Sequence, residues 1–308
     1  MRRTSPLLPL TAPVALAALA AAVALAVGCG RGVREDPILR LSAEEALEQG
    51  KALLAQEKYS RAGPLLIHAF EVEPNSRSGR EALLLAADAL YLGGGTESYI
   101  KCEAKYRDFL NRFPTSERAD YAQFQVANCQ AERMEKPDRD QKVTLQALES
   151  YQELMRLYPA SPYAAEARAR IDDVTDRLAA HEMVVARFYR RFRVCAATIH
   201  RLEYLQEEYP SFSEMDHALF TVGLAYESCN RSEDAEAAYE RLRQRYPGSP
   251  YLANLDKERS KIAKQRDKRL KQAARKRGRF QPAPPEDDGD GAAAQDAEGA
   301  GEGEDGVP

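Results

Sequence analysis

Residues 218–247 read ALFTVGLAYESCNRSEDAEAAYERLRQRYP, and this stretch decides the fold. It predicts two short helices joined by a polar turn at residues 230–234. Gly223 and Ala235 are small residues at the positions where the two helices would touch. Pro247 ends the second helix, because proline has no amide hydrogen to donate and its ring clashes with the preceding turn. Larger side chains would fill the space beside the small ones: Tyr226, Tyr239 and Leu242.

The same pattern of two helical segments closed by a proline recurs along the chain. Prolines close five such stretches, at positions 74, 114, 159, 210 and 247, and four of them follow Phe or Tyr. This spacing is typical of tetratricopeptide hairpins, whose repeat is about 34 residues, although the intervals here are 40, 45, 51 and 37 residues and indicate insertions. An ordinary amphipathic helical bundle is the alternative. We predict an all-α, tetratricopeptide-type α-solenoid over residues 42–252, with five hairpins near 42–75, 80–115, 119–160, 161–211 and 213–248.

The first 28 residues have the features of an export signal. Two arginines precede a long apolar run that ends at Gly28, directly before Cys29. A charged start, an apolar core and small residues at the break describe such a signal. We expect residues 1–28 to be a lipoprotein signal peptide, Cys29 to carry an N-terminal diacylglycerol and an acyl chain, and residues 29–41 to form a tether.

Two other interpretations of the N-terminus remain open. The leucine of a lipoprotein signal usually stands three residues before the cysteine, but Ala26 has that place here and Leu25 comes one earlier. Ordinary cleavage after Ala26 would release a soluble protein, and an uncleaved run would be a transmembrane anchor. Gly30, rather than an aspartate, follows Cys29, which in similar lipoproteins implies sorting to the outer membrane.

The other four cysteines form two candidate bridges. An exported chain enters an oxidising compartment, where disulfides persist. Cys102 and Cys129 fall on consecutive helices of the predicted solenoid, and Cys195 and Cys229 repeat that arrangement. Consecutive helices pack side by side, so each pair can come within bridging range. We predict the disulfides Cys102–Cys129 and Cys195–Cys229; the alternative is four buried thiols.

The sequence lacks the pattern of an active site. Its four histidines match no metal-ligand spacing, and the glycine run at 93–95 has no following Gly-Lys-Ser/Thr, so it is interpreted as an interhelical loop. No nucleophile–base constellation is visible. We therefore predict a non-catalytic protein without a metal or cofactor, apart from the lipid on Cys29. The histidines are His68, His181, His200 and His217.

The C-terminus separates its charges. Residues 257–279 contain twelve Lys or Arg and two acids, whereas residues 281–308 contain nine acids and no basic residue. We expect a basic helical extension over 253–280, continuing from the last hairpin, and a disordered acidic tail over 281–308. Anionic lipid headgroups or an acidic partner suit the basic run better than nucleic acid does in an exported protein. A simply solvated end helix is the alternative.

Three segments in sequence order carry a family resemblance. The first is a charged loop in the third hairpin, the second runs from Tyr158–Pro159 through His181–Glu182 to Phe188–Tyr189, and the third contains Arg201 and Tyr209–Pro210. Together with the export signal and the aromatic-proline hairpins, they resemble the BamD (ComL) family of outer-membrane assembly lipoproteins. The loop segment consists of Asp138, Arg139, Asp140 and Gln141.

The resemblance implies a function. Members of that family are lipid-anchored in the outer membrane, face the periplasm, and bind the POTRA region of the barrel insertase BamA together with other lipoproteins of the BAM complex. They promote insertion of nascent barrel proteins, which the amino-terminal hairpins would receive in a groove. By the same resemblance, Arg201 would contact the insertase and residues 138–141 would order their loop. Arg201 paired with Glu208 or solvated, and a merely charged turn, are the alternatives.

A second function class also fits the repeats. A periplasmic tetratricopeptide adaptor that coordinates cell-envelope or cell-wall factors could use the same solenoid. Exported cell-division coordinators with such repeats usually carry an amino-terminal coiled-coil segment, which this sequence lacks. Recovery of cell-wall enzymes, rather than an insertase, with the solubilised protein would discriminate in favour of the adaptor.

Overall fold

The computed structural model describes residues 36–279. The predicted signal peptide, Cys29 and the acidic tail lie outside this range. The described part contains eleven α-helices and two short 3₁₀ helices. In chain order the α-helices are α1 (Ala43–Ala55), α2 (Tyr59–Val72), α3 (Arg77–Gly93), α4 (Thr96–Arg112), α5 (Ala119–Ala131), α6 (Lys142–Leu157), α7 (Ala164–Arg191), α8 (Cys195–Glu208), α9 (Met215–Ser228), α10 (Ser232–Arg245) and α11 (Leu255–Arg279).

The first ten helices stack in sequence order. Within this set each helix packs against the next one along the chain, and α1 also touches α3. Contacts restricted to neighbouring repeats are what a solenoid produces. The prediction of an all-α, tetratricopeptide-type solenoid is therefore confirmed. Its second hairpin begins at Arg77, earlier than the predicted residue 80, because Ser76 caps α3 by accepting a hydrogen bond from the amide of Gly79 at 2.8 Å.

The close helix–helix contact in the first and last hairpins uses a small residue against a large one. A Cβ atom at Gly223 of α9 would overlap the ring of Tyr239 on α10, and that tyrosine is fully buried. Gly50 and Leu66 take the same places in α1 and α2, where a Cβ atom at residue 50 would lie 2.6 Å from Leu66 Cδ2. Glycine at these positions lets the two helix backbones approach closely.

Local signals at the helix ends agree with the sequence. Ser42 and Glu45 form the reciprocal capping box at the start of α1. Gly94 and Gly95, between α3 and α4, have φ angles of 70° and 90°, which glycine adopts readily because it lacks a Cβ atom. The glycine run is thus an interhelical turn.

The long helix α7 joins two parts of the core. Ala167 and Val174 in its first half pack with the buried residues of α5 and α6. Met183 and Ala186 in its second half pack with those of α8, α9 and α10. The helix therefore holds the third hairpin and the last two hairpins in one continuous body.

The structure corrects the extent of the predicted tether. Residues Pro37–Arg40 form a 3₁₀ helix that begins with Asp36 accepting a hydrogen bond from the amide of Ile38. The carbonyl oxygen of Leu41 lies 3.0 Å from Nε2 of His68 on α2. Ile38 packs against the buried cluster that α1 to α5 form. Residues 36–41 therefore belong to the folded body, and they cover its first hairpin.

The structure also corrects the path of the basic extension. It does not continue α10, because Pro247 and Pro250 interrupt the helix and a 3₁₀ turn, Leu252–Asn254, precedes α11. The new helix packs on α9. Arg259 bridges Glu227 of α9 at 2.6 Å and Glu236 of α10 at 3.1 Å, so α11 covers the last hairpin.

Two disulfides are present. Cys102 of α4 is bonded to Cys129 of α5, with Cα atoms 6.4 Å apart. Cys195 at the start of α8 is bonded to Cys229 at the end of α9, with Cα atoms 5.7 Å apart. Each bond links one hairpin to the next. Across residues 36–279, no helix combines the length and apolar character that a membrane span requires.

Replacement of Gly223 by alanine tests the small-to-large contact. We expect a loss of about 1–3 kcal/mol in unfolding free energy, because the added methyl group must displace the buried Tyr239 ring. Gly248→Ala is the matched control, since a Cβ atom at Gly248 meets nothing within 4 Å. Urea unfolding followed by circular dichroism measures both, and equal stabilities would contradict the packing argument.

The two disulfides can be counted by mass. In a Cys29→Ser chain unfolded without reductant, we expect the remaining four cysteines to take up no alkyl group, and four groups after reduction. Uptake of four groups before reduction would mean free thiols. Reduction should also lower the unfolding free energy by about 3–4 kcal/mol for each bond, because each closes a loop of some thirty residues in the unfolded chain.

Candidate partner-binding site

The charged loop between α5 and α6 is tied to the middle of α7. Nδ1 of His181 donates a hydrogen bond to the carbonyl oxygen of Pro137 at 2.7 Å. One turn earlier on α7, Nη1 of Arg177 donates to the carbonyl oxygen of Glu135 at 3.1 Å. Two side chains from one helix thus satisfy two backbone carbonyls of the loop, and the first two resembling segments lie side by side.

Within the loop motif, the last two residues make the ordering contacts. Nε2 of the buried Gln141 donates to the carbonyl oxygens of Lys136 and Arg139, at 2.9 and 3.0 Å. Asp140 accepts a hydrogen bond from the amide of Lys142 at the first turn of α6, at 2.6 Å. A side chain that bonds two carbonyls of one short loop closes that loop on itself.

The first two residues of the motif behave differently. The side chains of Asp138 and Arg139 are exposed and form no hydrogen bond or ion pair with any other residue between 36 and 279. They are thus available at the surface of an ordered loop. The four motif residues divide into two that shape the loop and two that it presents.

Arg201 on α8 is paired with Glu182 on α7. Nη1 of the arginine lies 3.1 Å from one carboxylate oxygen and 3.4 Å from the other. The predicted alternative, a pair with Glu208, is wrong, because Glu182 already faces Arg201 from the neighbouring helix. The glutamate side chain is 11% exposed, whereas the arginine side chain is 42% exposed. Glu182 therefore fixes the guanidinium while leaving much of it open to a partner.

An exposed tyrosine extends this surface. Tyr204 lies one turn after Arg201, so the two side chains share a face of α8. Its ring is 6.1 Å from that of Tyr209, which packs against the core of the last two hairpins. Burial, followed by the neighbouring Tyr204, raises the pKa of Tyr209 to about 12, so its hydroxyl stays neutral at physiological pH. Arg201, Tyr204 and Glu182 together form what we call the Arg201 patch.

A groove of about 870 Å³ lies beside the patch, between α7, the charged loop and the α8–α9 connection. Asp176 of α7 holds that connection by accepting hydrogen bonds from the amide and the hydroxyl of Ser213, at 2.7 and 2.9 Å. Polar residues in the middle of α7 therefore position three segments: the charged loop, the α8–α9 connection and α8. The groove includes Met134, Pro137, Asp172, Asp173, Arg177 and Tyr209.

A second groove, also of about 870 Å³, lies between α3, α4 and the connection that follows α4. The sequence did not indicate its lining residues. Three of its arginines stack on aromatic rings at 4.6–5.7 Å from the ring centroids, which fixes their direction. The stacked pairs are Arg80 on Phe113, Arg112 on Phe70, and Arg118 on Tyr121.

Sequence reasoning missed Glu182 as the partner of Arg201, and it missed Tyr204. Glu182 lies within a resembling segment, but it precedes Arg201 by 19 positions and belongs to the preceding helix. Only the packing of α7 on α8 brings the two together. Tyr204 could have been found from its spacing of three residues after Arg201 on a predicted helix.

Comparisons with known proteins agree with the resemblance. The family model described as YfiO, outer membrane lipoprotein, matches residues 40–241. The outer membrane protein assembly factor BamD of Caulobacter vibrioides is 30% identical over 181 residues, which are 59% of this chain and 58% of that protein. BamD of Haemophilus influenzae is 28% identical over 220 residues, which are 68% of this chain and 82% of that protein.

Among solved structures, the crystal structure of MamA is similar, with a TM-score of 0.34 and 15% identity over 66% of this chain and 90% of that chain. The names of the curated relatives confirm the prediction of a non-catalytic protein, because they are assembly factors. All three resembling segments, together with the Arg201 patch, lie inside the matched range. The chain belongs to the YfiO family of outer membrane lipoproteins, in which its curated relatives are the outer-membrane protein assembly factors named BamD.

Proposed function

We propose that this chain is a lipid-anchored component of the outer-membrane β-barrel assembly machinery. Acylated Cys29 holds it to the outer membrane, and the solenoid faces the periplasm. The Arg201 patch binds the POTRA region of a BamA-like insertase, alongside other lipoproteins of the complex. Nascent barrel proteins bind elsewhere on the solenoid and are thereby brought to the insertase.

One observation carries the proposal for the insertase contact: an arginine held by a nearly buried carboxylate and still 42% exposed. Arg and Tyr are the residue types that dominate binding energy at protein interfaces. A side chain that is already held loses less conformational entropy when it binds. Glu182 supplies that preorganisation to Arg201, and Tyr204 adds an exposed ring beside it.

The carboxylate of Glu182 also decides what Arg201 can recognise. One guanidinium nitrogen faces Glu182, and the arginine has further N–H donors for a second acceptor. A carboxylate or backbone carbonyl of the insertase can accept these. The ordered loop with exposed Asp138 and Arg139 stands on the same helix, α7, and widens the surface with charges of both signs.

The second groove, between α3 and α4, is our candidate for the site that binds the nascent barrel chain. Its stacked guanidinium groups suit a segment that carries a carboxylate, because arginine pairs bidentately with that group. Leu85 and Phe113, which are partly exposed, also line the groove and offer apolar contacts. The sequences of barrel segments alternate apolar and polar residues, so both kinds of contact would be used.

Depletion and recovery test the function as a whole. Depletion of the protein should lower the amounts of β-barrel proteins in the outer membrane, and affinity purification from solubilised envelopes should recover a barrel insertase. Normal barrel levels after depletion would contradict the proposal. Recovery of cell-wall enzymes without an insertase would instead favour the periplasmic adaptor.

Arg201→Ala tests the contact itself. We expect the dissociation constant for the purified POTRA region to rise at least about tenfold, because the variant removes an interface arginine. The unfolding free energy should also fall by about 1–3 kcal/mol, because the variant leaves the nearly buried Glu182 without its partner. Isothermal titration calorimetry measures the affinity, and thermal unfolding measures the stability.

Arg168→Ala is the matched control for this experiment. Arg168 is an exposed arginine on α7 that forms no ion pair with another residue of the described range. Its replacement should leave the affinity unchanged. Equal affinities of the Arg201 and Arg168 variants would overturn the assignment, and a loss of stability beyond the expected range in the Arg201 variant would indicate a structural role.

A further inference from the structure

A second cluster of cations lies where the turn between α7 and α8 meets α11. Together they line a cleft of about 290 Å³, which we call the arginine cleft. The end of α7 and the turn after it contribute Arg190, Arg191 and Arg193, and α11 contributes Lys261, Arg266 and Arg269. The floor is partly apolar, with Leu224, Ile262 and the Cys195 end of a disulfide.

The charges of the cleft are not balanced by its surroundings. Its only carboxylate among residues 36–279 is that of Glu258, which is paired with Lys261 at 2.6 Å. Arg190, Arg191 and Arg269 form no ion pair with any carboxylate in this range, and neither does Arg193. Like charges gathered in this way repel one another, and an anion in the cleft would relieve that repulsion.

The positions of these cations are set by the fold. The disulfide fixes the start of α8, directly after the turn, to the end of α9. On the other side, Arg259 anchors α11 to Glu227 and Glu236. Further along α11, Arg266 donates a hydrogen bond to Asn230 at 3.3 Å. Both walls of the cleft are therefore held against the same hairpin, α9–α10.

Three exposed apolar side chains lie at the end of α7 and on the turn that follows it. The side chains of Phe188, Phe192 and Val194 are 57%, 62% and 47% exposed, and the rings of the two phenylalanines are 4.7 Å apart. On α11, Leu270 beside Arg269 is 63% exposed. These side chains project outward and alternate with arginines, so they do not line a groove that could receive a peptide.

We propose that the arginine cleft binds the phosphate of anionic lipid headgroups at a membrane surface, while Phe188 and Phe192 enter the interfacial region of the bilayer. Cations near an anionic leaflet and aromatic rings at headgroup depth are the two contacts that hold peripheral proteins at a membrane. An acidic protein segment would satisfy the arginines but would leave the phenylalanines uncovered. The family's association with the outer membrane places such a surface within reach.

This contact is distinct from the lipid on Cys29. The cleft lies at the fourth and fifth hairpins, whereas the chain enters the fold at residue 36, beside the first hairpin. A second attachment of this kind would restrict the orientation of the solenoid on the membrane. It does not depend on the contact between Arg201 and an insertase.

Vesicle binding by the non-acylated chain tests the proposal. The probe is the chain from residue 29 with Cys29→Ser, mixed with vesicles of phosphatidylcholine alone or of phosphatidylcholine with phosphatidylglycerol. We expect sedimentation with the anionic vesicles only, and a decrease with added salt because exposed charges are screened. Absence of binding to anionic vesicles would overturn the proposal.

The residues are tested by two variants and a matched control. The triple variant R190Q/R191Q/R193Q should lower the partition coefficient at least about tenfold, since each cation near an anionic surface contributes to binding. F188S/F192S should also lower it about tenfold, because two interfacial rings are lost. The control R61Q/R168Q/R245Q removes three exposed arginines elsewhere and should stay within about twofold of the parent chain.

Three outcomes would overturn the proposal. Equal loss in the control variant would mean that net charge alone drives binding. Inorganic phosphate that binds as tightly as the vesicles, with no effect of F188S/F192S, would indicate a site for a free anion. Vesicle binding that appears only after deletion of residues 281–308 would indicate that the chain's own acidic segment occupies the cleft.

Discussion

A helical hairpin of this kind cannot bury its apolar face alone, and the rest of the structure follows from that constraint. Each hairpin is covered by the next, so the core is a continuous stack and not a single centre. The two ends of the stack then need covers of their own. Residues 36–41 cover the first hairpin, with Leu41 bonded to His68, and α11 covers the last one, with Leu255 and Ile262 packed inward. Both covers came from segments that were predicted to be a tether and a basic helical extension.

The same constraint gives α7 its importance. A hairpin of two short helices can serve only its two neighbours, whereas a helix of 28 residues reaches two parts of the core. Because it is packed at both ends, α7 is a rigid support for polar contacts along its length. Asp176, Arg177 and His181 hold two connections, and Glu182 holds Arg201. The candidate site is thus an outcome of core packing, since the residues that orient it stand on a helix that packs into two parts of the core.

Much of the fold could be predicted because its signals are local. Gly223 and Pro247 act within one hairpin, and the capping box of Ser42 acts within one turn. Side-chain pairs between helices could not be predicted, because they depend on the rotation of one helix against another. The pairing of Arg201 shows the difference: Glu208 was the candidate near it in sequence, but the packing angle brought Glu182. Residues 138–141 were identified from a resemblance, yet only the structure divides them into Gln141 and Asp140, which shape the loop, and two exposed charges.

The distribution of arginines separates packing from binding. Arg259 is paired with two carboxylates and lies over the face of Tyr239, with its charged group 5.0 Å from the ring centroid, so its charge is balanced within the fold. Arg201 has one partner and an open side, and Arg191 has no carboxylate partner within the described range. An arginine retains its charge at any physiological pH. A guanidinium group without a carboxylate partner must therefore be solvated by water, or be neutralised by a salt ion or a ligand. The fold pairs Arg259 with two carboxylates, yet it gathers several cations without carboxylate partners around the turn between α7 and α8. Uncompensated positive charge is therefore concentrated at one surface, which suits an anionic partner.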